Sequence, residues 1–258
     1  MLEPGIYHLD RPLRIPKNIS LCGSGLSTIL RVTPANEEGI GILGVKADRC
    51  IITDLQVDAD PKSTTSVAGV VLDNSADCVL DRLLCRNFQH FGFKICNGTA
   101  FSKMYSCTAC NNQESNFRLE RLNLDPKENR DDTDARIGKC VPNLISNCYA
   151  YGGGHGFDLS AAECQDVVGC EVYQTRGVGF YLRDRSGSIL ISGCRTFQLR
   201  QQAVLVENTP EINISSCIFC WQEGHGIELR NCTWGTISAN AIMDSGGGLS
   251  APHNKYHI

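Results

Sequence analysis

LISNCYAYGGGHGFDLSAAEC (residues 144–164), VVGCEVYQTRGVGFYLRDRSG (167–187), LISGCRTFQLRQQAVLVENTP (190–210) and NISSCIFCWQEGHGIELRNC (213–232) are four versions of one line. Each opens on a short strand-like element that leads into a cysteine. Each then turns through a Gly- or Gln-rich corner into a second short strand of the Gly-Phe-x-Leu type. Cys148, Cys170, Cys194 and Cys217 recur 22, 24 and 23 residues apart. Upstream, Cys85 and Cys107 are 22 apart and are assigned to the same slot, and Asn240 fills it in the last copy.

A fixed period of this length marks a solenoid. Strands rise about 3.3 Å per residue, so three strands of three to five residues plus their corners close one coil of a parallel β-helix. A leucine-rich repeat has a similar period, but its L-x-x-L-x-L frame is absent. A propeller blade needs about 40 residues. The expected fold is therefore all-β, a single-stranded parallel β-helix of about ten coils forming one domain over residues 1–258. The segment 122–142 (LNLDPKENRDDTDARIGKCVP) breaks the period and is expected to protrude as a loop. Stacking then makes internal columns. One is the thiols. A second is Phe93, Phe117, Phe157, Phe180 and Ile227. A third is Ile95, Leu119, Leu159, Leu182, Val206 and Leu229.

Composition agrees. The chain has 25 Gly, 7% aromatic residues and 15 Cys, a turn-rich β composition rather than that of a helical bundle. A net charge of −4 excludes a chain built to neutralise a nucleic-acid backbone. No apolar run approaches the roughly 18 residues of a membrane-spanning helix. The odd cysteine count leaves at least one thiol unpaired. Cys107 and Cys110 form a lone C-x-x-C without a second pair, so the cysteines read as reduced, buried fillers. Unpaired thiols favour a reducing cytoplasm. The chain opens directly on its first strand and looks truncated, which leaves secretion open. Uncapped solenoid ends are exposed sheet edges that favour association into a homo-oligomer.

The opening LEPGIYHLDRPLRIPKNISLCGSGLSTILR (residues 2–31) resembles the first coil of pectate-lyase-like right-handed β-helix proteins. The later repeats resemble carbohydrate-active β-helix repeats. The resemblance implies a right-handed helix and a carbohydrate-active enzyme, a glycoside hydrolase or a polysaccharide lyase or epimerase, acting on a poly- or oligosaccharide. Pectate lyases, polygalacturonases, alginate epimerases and phage tailspikes share this architecture, so the alternative is a non-catalytic glycan-binding or tailspike-like module. The segment YGGGHGFDLS resembles the Tyr-Gly-x-Gly…Gly-Phe-Asp stretch of alginate epimerases. Their Asp-Pro-His-Glu is replaced by Asp158-Leu159-Ser160-Ala161. Gly-His-Gly, one of the polygalacturonase motifs, occurs at 154–156 and 224–226 without the paired aspartates that accompany it there.

Alternation along the Gly-Phe-x-Leu strand puts two columns on the outside: Lys94, Arg118, Asp158, Tyr181, Leu205, Glu228, and Cys96, Glu120, Ser160, Arg183, Glu207, Arg230. Extended stacked faces of this kind are the binding surfaces of solenoids. Asp158, Glu207 and Glu228, with Tyr181 and His155, are the acid–base candidates. Lys94, Arg118, Arg183, His225 and Arg230 are the candidates for holding substrate. Glu207 and Glu228, one coil apart and two residues offset, would stand about 8 Å apart, within the span of an inverting glycosidase. No cofactor is expected and no zinc spacing occurs. Asp125, Glu128, Asp131, Asp132 and Asp134 could offer oxygens to Ca2+, but they lack EF-hand spacing and read as a solvated charge run. Carbohydrate is the expected partner, with no nucleic acid and no membrane.

Overall fold

The computed structural model describes residues 1–120 and 142–245; the expected loop at 122–142, apart from Pro142, lies outside the described residues, and so does its acidic run. Every strand pairing is parallel, and the helical content among the described residues is one 3-10 turn, Gly25–Ser27. Two sheets run the length of the solenoid. The smaller stacks nine strands in chain order: Leu13–Arg14, Ile40–Val45, Ala68–Asp73, Phe91–Cys96, Ser115–Glu120, His155–Ser160, Phe180–Arg183, Val204–Glu207 and Ile227–Arg230. Nine rungs stand here among the described residues, in keeping with the expected count of about ten coils. The larger sheet holds the remaining 17 strands, two per coil in most coils.

The corners between strands are single residues in the left-handed region, and they too stack in columns. One column is Asn74, Asn97, Ala161, Asp184, Asn208 and Asn231, with φ between 47° and 58°. A second is Asp54, Arg82, Ser106, Asn147, Gly169, Gly193, Ser216 and Ala239. A third is Asn87, Asn111, Gly152, Gln174, Gln198, Trp221 and Asp244. Asn and Gly populate this region at little cost, which accounts for their recurrence at the period.

The internal columns form largely as the spacing requires. Phe93, Phe117, Phe157 and Phe180 stack with centroids 5.1, 4.5 and 5.2 Å apart and planes within 9°. Each such pair is worth about 0.5–1.5 kcal/mol beyond the area it buries. Ile95, Leu119, Leu159, Leu182, Val206 and Leu229 are likewise in register.

The thiol column needs one correction. Cys107, Cys148, Cys170, Cys194 and Cys217 stack, and Asn240 ends the row by accepting from the Cys217 N–H at 2.9 Å. Cys85 is not in it. Cys85 pairs with Ala109, and Leu83 takes the earlier place in the Cys107 column. This coil takes 24 residues, since Asp81 pairs with Tyr105 and Leu84 with Thr108, so a spacing of 22 lands two positions short. Each column thiol follows a left-handed corner and donates to the carbonyl two residues back: Cys148 to Ser146, Cys194 to Ser192, Cys217 to Ser215, at 3.2–3.5 Å. Cysteine therefore fills space and partners a carbonyl at the bend. Hydrogen bonding to the thiol of the preceding coil, together with burial, pushes Cys194 up to about 12, so these groups are inert neutral fillers. Among the described residues no disulfide joins two cysteines.

Candidate functional site

The two columns expected on the outer face of the nine-stranded sheet are in the expected register. Lys94 pairs with Arg118, Arg118 with Asp158, Asp158 with Tyr181, Tyr181 with Leu205 and Leu205 with Glu228. Beside them Glu120 pairs with Ser160, Ser160 with Arg183, and Glu207 with Arg230. Eight of the ten candidate residues fall into two groups along this face, and His155 and His225 stand at its adjoining corner.

The first group is buried although it faces outward. Asp158 is only 1% exposed and Arg118 7%. Asp158 accepts from Arg118 Nη1, from Arg183 Nε at 3.1 Å and Nη2 at 3.3 Å, and from Ser115 Oγ at 3.3 Å. Glu120 accepts from Arg118 Nε at 2.7 Å and pairs with Lys94 Nζ at 2.5 Å. Burial alone would raise the Glu120 carboxyl; the Lys94 and Arg118 contacts outweigh it and hold the group below the usual carboxylate range. Desolvated charges persist only when paired this completely. The chain Lys94, Glu120, Arg118, Asp158, Arg183 is thus one continuous ion relay across four strands.

The second group is half-buried. Tyr181 Oη donates to Glu207 Oε2 at 2.5 Å. Arg230 donates to Glu207 Oε1 through Nη1 and to Glu228 Oε1 through Nε, both at 2.7 Å. Gln202 Nε2 donates to Glu228 Oε2 at 2.6 Å. Burial, then the bond to Glu207, pushes the Tyr181 phenol up to about 12. The same bond, reinforced by Arg230, holds Glu207 below the usual carboxylate range. At Glu228 burial works upward, but Arg230 and Gln202 prevail and its carboxyl is also lowered. Neither glutamate has the raised value that a carboxylic acid needs to protonate a leaving group.

His155 joins the two groups. Its ring lies 5.2 Å from the Tyr181 ring at 42°, and its Nδ1 accepts from the Val178 N–H at 3.0 Å. Burial lowers its pKa. In the neutral ring, acceptance at Nδ1 puts the proton on Nε2, so His155 is an N–H donor. His155 and His225 share one column, separated by Val178 and Gln202, and thus stand roughly 14 Å apart from three inter-strand steps.

Sequence reasoning omitted Glu120, Gln202, Ser115 and Asp184. Glu120 was visible as a member of the outward columns, whereas Gln202 belongs to the corner column of His155 and His225. Ser115 acts only because its strand lies beside Asp158. Sequence reasoning also missed a partly exposed aromatic row along the larger sheet: Tyr151, Tyr173 and Phe197 stack at centroid spacings of 5.6 and 5.3 Å, and Trp221 lies tilted against Phe197 at 4.5 Å. Their faces are spent on one another. Among the described residues no cluster of three or more His, Cys, Asp or Glu suits a metal ion, and no helix is long and apolar enough to cross a membrane.

The family description "Right handed beta helix region" matches residues 127–257. The chain belongs to the right-handed β-helix family. Within it, the mannuronan C-5 epimerase AlgE4 A-module of Azotobacter vinelandii superposes with a TM-score of 0.76 at 15% identity, over 95% of this chain and 68% of that one. The AlgE6 A-module of the same organism gives 0.73 at 16%, over 95% and 67%. Pectate lyase Pel9A gives 0.60 at 13%, over 93% and 70%. At these identities the likeness is one of fold. No curated protein matches the chain in sequence. For a right-handed β-helix protein the nine-stranded sheet presents the broad, regular face on which the two ionic groups are arrayed.

Proposed function

We propose that this right-handed β-helix protein is a carbohydrate-active enzyme that binds a polysaccharide across the outer face of the nine-stranded sheet and works on it by proton transfer. The observation that carries the reading is the 2.5 Å bond from Tyr181 to Glu207, with the His155 ring against the same phenol. A phenol raised to about 12 is a reservoir of one proton at neutral pH. Glu207 orders it, Arg230 orders Glu207, and the His155 N–H is a second donor beside it. Proton abstraction next to a uronate carboxylate needs a base and cations near it: the Tyr181 oxygen takes the substrate proton while its own passes to ionised Glu207, which can return it, and the His155 N–H is a hydrogen-bond donor beside them. The names of the similar folds, an epimerase of mannuronan and a pectate lyase, agree with that class.

Carboxylic-acid hydrolysis is the less suited chemistry, because Glu207 and Glu228 are both held ionised by Arg230. Asp158 is better placed to aim Arg118 and Arg183 than to exchange protons with a substrate. A second reading, recognition of a glycan without turnover, draws on the saturation of this face: each carboxylate named above has a cationic partner.

Incubation with polymannuronate, polygalacturonate and neutral glucans separates these outcomes. Ultraviolet absorbance of an unsaturated product, or deuterium uptake at the carbon beside the carboxylate, supports proton transfer. New reducing ends without either signal indicate hydrolysis and overturn it. Binding without change supports the module.

A further inference from the structure

A polar cleft of about 410 Å3 opens on the corner that leads into the nine-stranded sheet, lined by Asn87, Asn111, Gln113, Gly153 and Arg176. It is a gap in the third corner column. In the coils above it the corner amides pair, Gln174 Nε2 donating to Gln198 Oε1 at 2.9 Å. At Gly152 the column has no side chain. A Cβ there would come within 2.5 Å of Asn111 Oδ1, and one at Gly153 within 2.1 Å of the Asn112 carbonyl. The glycines of YGGGHG thus let the Asn111 amide and the Asn112 backbone pack close against this corner, and the cleft opens beside them.

Arg176 crosses this gap. Its Nε donates to the Gly153 carbonyl at 3.2 Å and its Nη2 to Gln113 Oε1 at 2.5 Å, two coils away. Among the described residues no carboxylate pairs with it, whereas Lys94, Arg118, Arg183 and Arg230 on the sheet face are all ion-paired. Nη1 is left over for a ligand, as are the Asn111 amide and Gln113 Nε2. Asn87 gives its Nδ2 to Asp58 at 2.9 Å and keeps its oxygen. The lining is one cation among amides, without an anion, and its volume lies in the roughly 300–1,000 Å3 range of small-ligand clefts. Amides match sugar hydroxyls, and a guanidinium matches a carboxylate in a forked pair.

We infer that this corner cleft is a subsite for one acidic sugar unit, gripped by Arg176 and bounded by Asn87, Asn111 and Gln113. The inference rests on the carbohydrate reading above and extends it to a place off the sheet face. Gly152 has φ +59°, the conformation that Asn111, Gln174 and Gln198 adopt in the same column, so an amide residue fits its backbone.

The test is calorimetric titration of the full chain with hexamers of galacturonate and of mannuronate, and with a neutral gluco-hexamer. The wild type should bind an acidic hexamer and not the neutral one. Arg176→Gln, at an exposed side chain, should weaken binding at least tenfold with the melting temperature unchanged, and Gly152→Gln, whose Cβ pushes the Asn111 amide aside, should weaken it likewise. If both variants bind as the wild type does while Arg230→Gln does not, the cleft assignment is overturned and the carbohydrate reading stands. If the neutral hexamer binds equally well, the acidic specificity is wrong. If no hexamer binds the wild type, the carbohydrate reading fails and takes the subsite with it.

Discussion

Tyr181 and Glu207 sit one strand apart and two residues offset, and their side chains close that offset with a 2.5 Å hydrogen bond. The bond raises one partner and lowers the other, so both are locked in opposite protonation states at neutral pH. Tyr181→Phe removes the proton and leaves the ring against His155. Stability should fall by about 1 kcal/mol, the worth of one hydrogen bond. Turnover of the substrate found in the glycan assay should fall by about 100-fold or more. An unchanged rate would remove Tyr181 from the chemistry.

Arg230 contributes to the acid behaviour of both glutamates of the second group, beside Tyr181 at Glu207 and Gln202 at Glu228. Glu207 and Glu228 bind protons less tightly folded than unfolded, so the stability they supply is complete above the ordinary carboxylate range and drains away as pH falls through their lowered folded values. In Arg230→Gln both values should move back up. The variant should then melt lower than the wild type at pH 7 and lose less on acidification, the two curves converging at low pH, and melts from pH 7 to pH 2 read this directly. Parallel curves would contradict the assignment.

Asp158 is a structural anchor whatever the chemistry. Asp158→Asn keeps the shape and removes the charge that compensates Arg118 and Arg183 in a buried place. The expected loss is about 3–5 kcal/mol, measured by urea unfolding. A loss below about 1 kcal/mol would mean that water reaches the two guanidiniums.

The thiol column predicts a reactivity order. Alkylation of the native chain followed by peptide mapping should label exposed Cys164 first. Cys148, Cys170, Cys194 and Cys217 should react only in denaturant, since burial and neutral thiols both protect them. Early labelling of Cys170 would show that the core opens.

Much of the site was legible from the repeat. Once Phe157, Phe180 and Ile227 point inward, alternation alone sends Asp158, Tyr181 and Glu228 outward, and parallel stacking makes them neighbours. What alternation does not carry is the reach of a side chain. That Arg230 takes both glutamates, that Gln202 supports Glu228, and that Val178 sets the His155 tautomer depend on rotamers and corner geometry. Cys85 shows the limit from the other side: its spacing from Cys107 matched the period, but that coil takes 24 residues, two more than the spacing.

The amino-acid order alone determined the winding, the inward columns and the outward row, because each depends on a local period of two within a longer period near twenty-three. Burial of Asp158, the raised phenol of Tyr181 and the cleft at Gly152 were decided only by the tertiary structure. They arise from contacts between coils, where solvent exclusion and distances of a few tenths of an ångström set which charges pair and which space stays open.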